Sequence, residues 1–330
     1  MPYFSIIIPV YNRPNEVDEL LFSLTKQTYT DFEVVVVDDG AVFACKTVVE
    51  KYEKRFSVQY FYKENSGPGQ SRNFGAANAN GIYLLILDSD CILPEQYLST
   101  VFEELSQNPC DAFGGPDRAH SSFSAIQKAI NYSMTSFFTT GGIRGGKRKM
   151  DKFYPRSFNL GVKKTVFEEL GGFSSMRFGE DIDFSVRIFK NNYSCRLFPK
   201  SWVYHKRRTD FSKFFKQVHN SGIARINLYK RYPESLKLVH FLPTIFTLGI
   251  FFLFIIPCFY PVSFLLVIIY GVLIFFDALV KERSVKIGLL SVVASFVQLV
   301  GYGTGFLRGV WRRLVLKQDE FNAFEHNFYK

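Results

Sequence analysis

The chain opens on a continuous apolar run, Phe4 to Ile8, that stops at Pro9, after which the hydrophobic positions switch to helical spacing. Val17, Leu20, Leu21 and Leu24 share one face if Asn15 to Gln27 is a helix. The same alternation then repeats. Phe32 to Val37 predicts a second strand, Val42 to Arg55 a helix, Ser57 to Tyr62 a third strand, Pro68 to Ala79 a helix with proline in its first turn, and Tyr83 to Leu87 a fourth strand. Strands that are apolar on both faces and separated by helices predict an α/β fold, a Rossmann-like, mostly parallel central sheet covered on both sides. Ligands of such sheets gather beyond the carboxyl ends of the strands. Here those ends open into Pro9 to Arg13, Asp38 to Ala41 and Asp88 to Cys91.

Past Pro94 the pattern loosens. It predicts a helix to about Gln107, a short strand near Ala112, a helix from Phe123 to Phe138 and a polar, glycine-rich basic loop from Thr139 to Lys152. A strand over Phe158 to Val162, a segment Thr165 to Phe173 stopped by Gly171-Gly172, a helix Glu180 to Lys190 and short strands ending near Phe198 and His205 follow. Asp210 to Tyr232 reads as a basic amphipathic helix whose apolar contributors are Phe211, Phe214, Phe215, Val218 and Ile226.

From Phe241 the charges thin out. Phe241 to about Ile256 and Val262 to about Leu279 are each of roughly the length that crosses a hydrocarbon core of about 30 Å, with Pro257 to Pro261 as the break between them. Basic residues flank the pair and none sits at the break, so a helical hairpin with both ends cytosolic is expected. Ile287 to Val310 is a third apolar segment, rich in glycine and basic on both sides. A crossing would carry Arg312, Arg313 and Lys317 outside, against the positive-inside tendency; crossing and a re-entrant or interface-lying arrangement both stay open. The expected organisation is a catalytic-type domain over 1–235, with halves of about 1–115 and 116–235, a membrane region over 238–317 (helices about 241–257 and 262–280, third segment 287–310) and a polar tail, 318–330.

Composition sharpens this division. The 330 residues are 47% hydrophobic, with 37 Phe and 18 Tyr, and charges are frequent up to about Lys237 but sparse for long stretches after it. The formal net charge of +10 clusters at Arg144 to Lys152, at Lys206 to Arg208 and around the apolar segments, a distribution that suits anionic lipid and phosphate. No nucleic-acid module accompanies it. The five cysteines are scattered with no C-x-x-C pair, so neither a zinc site nor a disulfide framework is expected, and a reducing compartment fits. The amino terminus lacks a basic n-region and reads as the first strand of a cytosolic domain.

Candidate chemistry sits at the strand ends. Asp88 and Asp90 project together where the fourth strand runs out, and two carboxylates there can hold Mg²⁺ or Mn²⁺ against a diphosphate; a solvated acidic turn is the plain alternative. Asp38-Asp39-Gly40 closes a neighbouring strand, where a carboxylate can meet a base N–H or a ribose hydroxyl, or simply form an Asp-Gly turn. Asn65 to Asn73 leads through Gly67 into a helix start bearing Arg72, an arrangement for an anion or a mere connector. Gly179-Glu180-Asp181-Ile182-Asp183 opens another helix; its acidic residues complement the dipole, and one of them in a cleft could act as general base. His205 ends a short strand before Lys206-Arg207-Arg208, where it is either structural or a metal ligand.

In order and spacing these pieces resemble glycosyltransferase family 2 with the GT-A fold, over about residues 4 to 235. The matching residues are Pro9-Val10-Tyr11-Asn12, Val37-Asp38-Asp39-Gly40, Asn65 to Asn73, Asp88-Ser89-Asp90, Asn159-Leu160-Gly161, Gly171-Gly172-Phe173, Gly179 to Asp183, and Arg187. The membrane segments resemble those of bacterial members that build surface or exported polysaccharide on a lipid carrier. The resemblance implies inverting transfer of a sugar from a nucleotide diphosphate sugar, UDP-linked by preference, to a hydroxyl of a lipid-linked or membrane-proximal glycan, by an enzyme in the plasma membrane facing the cytosol. It further implies that Pro9, Val10, Tyr11 and Asp39 hold the base, with Gly67 beside them. Arg72 would lie on the base edge or phosphate side, Asp88 and Ser89 on the ribose. Asp90 would bind Mg²⁺ or Mn²⁺ with His205 as a further ligand, Asp181 would deprotonate the acceptor, and Gly179 and Glu180 would shape the acceptor site. One departure is Ala41-Val42-Phe43, where the family has Ser and a polar residue after Asp-Asp-Gly. Without a Gln-x-x-Arg-Trp motif after Arg208, a processive cellulose-type synthase is not indicated. Two other classes compete: a non-catalytic nucleotide-sugar-binding assembly protein in the membrane, and a nucleotidyltransferase. The second lacks its glycine-rich basic signature at Pro9 to Asn12.

Overall fold

The computed structural model describes residues 1–120, 122–140, 153–255 and 260–320. The basic loop expected over Thr139 to Lys152 lies outside these from residue 141, as do residues 256–259 of the expected break and the tail beyond 320.

Strands and helices alternate as the hydrophobic pattern requires. β1 (Phe4–Val10), α1 (Pro14–Leu24), β2 (Phe32–Asp39), α2 (Lys46–Glu50), β3 (Ser57–Lys63), α3 (Pro68–Ala77) and β4 (Tyr83–Leu87) come first. They are followed by β5 (Cys91–Ile92), α4 (Tyr97–Gln107), β6 (Ala112–Gly114), β7 (Asp117–Arg118), α5 (Ala125–Thr135) and α6 (Phe137–Thr140). The chain continues with β8 (Asn159–Lys163), α7 (Lys164–Glu169), α8 (Glu180–Lys190), β9 (Cys195–Leu197), β10 (Val203–His205) and α9 (Phe211–Arg231). It ends in α10 (Leu242–Ile255), α11 (Tyr260–Glu282) and α12 (Val285–Val310).

These elements form two compact units, one of Met1–Arg118 with Met150–His205, the other of Ala119–Lys149 with Lys206–Glu320. In the first, seven strands run in the order β3-β2-β1-β4-β8-β6-β9. β3, β2, β1 and β4 are parallel, and β8 is antiparallel to both β4 and β6. The mostly parallel α/β fold therefore stands, with β8 as its reversed member. Ile6, Ile8, Val34, Val36 and Leu85 face one core with Leu20, Leu21 and Leu98; Ile7, Val35, Val37 and Ile86 face the other with Phe167, Phe173 and Phe184. Burial of both faces explains why no alternation is visible in these strands. A Cβ at Gly75 would stand 2.6 Å from Ile7 Cγ2, so α3 lies directly on the sheet. A second sheet, β5-β10-β7, brings His205 opposite Cys91.

Two elements differ from the pattern. The helix expected over Val42 to Arg55 contracts to α2, because Asp38 accepts the Ala41 and Cys45 N–H groups at 3.1 Å each and Asn12 accepts those of Val42 and Phe43 at 2.8 and 3.0 Å. The helix expected over Phe123 to Phe138 breaks at Ser136, whose backbone is extended, into α5 and α6.

The second unit centres on α12, against which α9, α5, α10 and α11 pack. By length and composition alone, two of its helices could cross a membrane, Phe264–Glu282 and Val285–Val315. Most large apolar side chains of α11, Leu265, Leu266, Ile268 and Leu273 among them, are exposed.

Candidate functional site

The carboxyl ends of β1, β2 and β4 bring the expected motifs together within the first unit. β4 stops at Leu87, and Asp88, Ser89 and Asp90 turn out of the sheet before β5. Because β5 pairs with β10 in the register His205 to Cys91, the imidazole is delivered to the aspartates by strand pairing. His205 Nε2 lies 3.1 Å from Asp90 Oδ1 and 3.8 Å from Asp88 Oδ2, and its Nδ1 lies 3.9 Å from Asp117 Oδ2 on β7. Phe158 stacks on the ring at 4.9 Å and fixes its plane.

Asp90 is held from its other side. Arg13, at the end of the loop after β1, donates from Nη1 to Asp90 Oδ2 at 2.5 Å. Burial works to raise the Asp90 pKa, but His205 and then Arg13 outweigh it and hold the carboxyl well below its ordinary range. Oδ1 is buried and receives no well-aligned hydrogen bond. A buried carboxylate whose Oδ1 faces an imidazole nitrogen at 3.1 Å, beside a second carboxylate, fits a hard divalent cation. Cys91 lies in the same cluster, but burial keeps its pKa well above the usual thiol value and its Sγ is turned to the Phe158 carbonyl; Asp88 is the better third donor for an oxygen-preferring ion.

Arg72 joins the two halves of the site. Nearly fully buried on α3, it donates from Nη2 to Asp88 at 2.8 Å and from Nη1 to Glu180 at 2.9 Å. The sequence alone suggested a base edge or phosphate for this guanidinium; the structure gives it two carboxylates. Asn73, one residue on, brackets Phe173 by donating to its carbonyl and accepting its N–H, both at 2.8 Å.

Asp39 and Gly67 also meet each other. Asp39 is buried and accepts from the Ser66 and Gly67 N–H groups at 2.9 and 2.8 Å, from Lys63 Nζ at 2.6 Å and from Asn65 Nδ2 at 3.2 Å. The backbone amides that looked available for an anion thus hold a carboxylate of the chain itself. Gly67 has φ +89, and Gly40, at φ +75, lies so close to Asn65 that a Cβ would meet its backbone nitrogen at 2.8 Å. Pro9 and Val10 pair with Val37 and Asp38 in the sheet, and Tyr11 begins the loop.

Gly179, left-handed at φ +89, turns the chain into α8 so that Glu180 and Asp181 stand in its first turn. Arg156 donates from Nε to Asp181 Oδ2 at 2.6 Å, while the Ile182 N–H reaches Oδ1 at 2.8 Å. The two neighbouring carboxyls are pushed apart: burial and then Asp181 raise the Glu180 pKa, whereas for Asp181 burial is outweighed by Arg156 and Arg72, which hold it low. Arg187 anchors the same helix by donating to the Leu170 and Gly172 carbonyls at 2.5 and 2.6 Å. Asn159 accepts from Tyr97 at 2.6 Å and donates to the Ser201 carbonyl at 2.9 Å, which ties β8 to the approach of β10.

Residues 5–171 match the sequence model described as glycosyl transferase family 2, about half of the chain. The chain belongs to that family. It is 33% identical over 195 residues to an uncharacterized glycosyltransferase of Haemophilus influenzae, an alignment that takes in 56% of this chain and 62% of that one. It therefore spans less than two thirds of that relative's length. The fold is shared with the mannosyltransferase PcManGT from Pyrobaculum calidifontis, in complex with GDP-Man and Mn²⁺, at a TM-score of 0.59, 15% identity, and coverage of 94% of this chain and 88% of that one. It is shared too with TarS of S. aureus in complex with UDP-GlcNAc, at a TM-score of 0.53, 19% identity, and coverage of 96% and 93%.

Arg13, Lys63, Asp117 and Arg156 were not legible from the sequence as members of this candidate site. Arg13 stood in a recognised loop, but Arg156 lies in an irregular stretch with no periodic neighbours.

Proposed function

We propose that the chain is a membrane-attached, metal-dependent, inverting glycosyltransferase. It moves a sugar from a nucleoside diphosphate sugar, UDP-linked by preference, to a hydroxyl of a lipid-linked or membrane-proximal glycan in surface polysaccharide or glycolipid synthesis. The observation that carries this reading is the convergence of Asp88, Asp90 and His205 at the strand ends with Asp181 linked to them through Arg72 and Glu180. The UDP-GlcNAc bound by TarS and the GDP-Man and Mn²⁺ of PcManGT support the donor class. The exposed apolar helices and their basic flanks support attachment to the plasma membrane from the cytosolic side.

Pro9, Val10 and Tyr11 border the base, and Asp39, with its four donors, builds the wall of that pocket through the 63–67 loop. Asp88 and Ser89 lie on the ribose side. Asp90 and His205, with Asp88 beside them, would hold Mg²⁺ or Mn²⁺, which when bound offsets negative charge on the departing diphosphate. Asp181, kept ionised by Arg156, accepts the proton of the acceptor hydroxyl as its oxygen attacks the anomeric carbon. The bond from that carbon to the diphosphate oxygen breaks on the opposite face, the nucleoside diphosphate leaves, and configuration inverts. Glu180 and Gly179 shape the acceptor side; Arg72 keeps it in register with the donor side.

A panel of nucleotide sugars with Mn²⁺ or Mg²⁺ and membrane lipid extract tests the proposal. Release of nucleoside diphosphate with formation of a glycosylated lipid is expected. Release of pyrophosphate, or binding with no turnover by any donor, would overturn it.

A further inference from the structure

Within the second unit, α9 lies along α12 in a single register. Val218 packs on Gly301, Gly222 on Gly305 and Ile226 on Gly309, so the two helices run parallel. A Cβ on Gly305 would stand 1.9 Å from the His219 carbonyl oxygen, and one on Gly222 2.3 Å from that of Tyr302; backbone meets backbone along the seam. His219 Nδ1 and Thr304 Oγ1, 3.1 Å apart, add a polar contact to it. The pair moves as one body.

That register fixes where α9 carries its charge. Lys213 and Lys216 are exposed and, continuing the same register, stand beside the middle of α12 at about residues 296–299; Arg225 is level with Arg308, and Lys230 and Arg231 follow. On another flank α5 packs Ala129 and Ile130 into the cluster of Ile287 and Ala294, and its next residue, Asn131, accepts from Arg207 Nη2 at 3.0 Å. If α12 crossed a bilayer, its middle would lie near the midplane and would carry Lys213 and Lys216 into hydrocarbon. Lysine is among the side chains least tolerated there. Laid flat, the same pair keeps every one of these charges among lipid headgroups or in water, with exposed Leu289 and Val293 available to the acyl region.

The hairpin fits the flat arrangement. α10 meets α12 through its first turns, with Phe246 5.5 Å from Phe296 and Thr247 donating to the Leu299 carbonyl at 3.2 Å. α11 meets it through Tyr270 and Phe275. Beyond those contacts both arms expose apolar side chains, Leu248, Phe251 and Phe252 on one and Phe264, Leu265 and Ile268 on the other, and α11 also exposes Leu273, Phe276 and Val280 alongside them.

We infer that α12 does not cross the bilayer but lies with α9 in the headgroup plane of an anionic leaflet, a basic platform from which the α10–α11 hairpin enters the acyl region. This rests on the membrane attachment proposed above. Lys286→Cys and Leu316→Cys, both at exposed positions, bracket α12 in the full chain. A membrane-impermeant maleimide, applied to intact spheroplasts and to inside-out vesicles, is expected to label both cysteines from the same face, above the background of the parent protein. Labelling from opposite faces would overturn the inference while leaving membrane attachment intact. A Val293→Trp variant reports depth independently: its added fluorescence should be quenched by a headgroup-side spin-labelled lipid more than by one labelled at the bilayer centre, and the reverse order would overturn it. Failure of the full chain to float with phosphatidylglycerol vesicles would overturn attachment itself, and the platform with it.

Discussion

Arg156 and Asp181 form an ion pair at 2.6 Å, and Arg156 is the nearer of the two guanidiniums that hold the Asp181 carboxyl low. Removing the charge in Arg156→Gln lets burial dominate, so the Asp181 pKa rises. Because the ionised form is the base, the acidic limb of the rate profile should move to higher pH. The native pair also contributes stability that is present above the unfolded carboxyl value and lost as pH falls through the native one, and the variant should lack that contribution. A pH–rate series on both proteins measures the shift. Asp181→Asn should lower turnover by a factor of about 10² to 10⁴ with donor binding retained, and full turnover would remove Asp181 from the mechanism.

Arg72 serves two carboxylates from a buried position, so its loss strands both. Arg72→Met should destabilise the protein by about 3 kcal/mol or more, read as a lowered urea midpoint of the full chain. Arg72→Lys should recover only part of this, since one ammonium cannot span the Asp88 and Glu180 oxygens as the planar fork does. Equal stability of all three proteins would show that the bridge is not structural.

Asp90 has one oxygen on Arg13 and the other facing His205. Chelation should abolish nucleoside diphosphate release, with Mn²⁺ or Mg²⁺ restoring it. Asp90→Ala should weaken metal-dependent nucleotide binding by about tenfold or more in calorimetry. Metal-independent turnover by the parent protein would contradict the assignment.

Asn12, at φ +54, accepts the Val42 and Phe43 amides and so holds the apolar stretch that follows Asp-Asp-Gly in this chain. Asn12→Ala should cost about 1–2 kcal/mol and speed amide hydrogen exchange at those two positions selectively. Unchanged exchange there would mean the loop is held by other contacts.

Much of this architecture was legible: parallel, doubly buried strands leave continuous apolar runs such as Tyr83 to Leu87, and the helix Glu180 to Lys190 follows Gly179; both occur at the expected bounds. The reach of polar side chains across the fold left no such trace. Nothing in the spacing of Arg156 foretells Asp181, and Asp39 and Gly67 carry no sign that each satisfies the other. Ser136 could not be read as a helix break either, since serine continues a helix as readily as it ends one and the flanking apolar spacing is unbroken. Arg72 was singled out, but its bridge between Asp88 and Glu180 was not foreseen, because an arginine at a helix start near a glycine-rich loop resembles an anion site whichever carboxylates the fold later supplies.

The reversed strand β8 has a consequence for the order in which the molecule can assemble. β3, β2, β1 and β4 are complete by residue 87, whereas β8, which lies beside β4, begins only at residue 159. A nascent chain emerging from the ribosome therefore has both aspartates of the proposed cation site in hand more than a hundred residues before His205 is synthesised. The proposed site becomes whole only when β10 pairs with β5, so translation past that strand, rather than formation of the sheet, completes it.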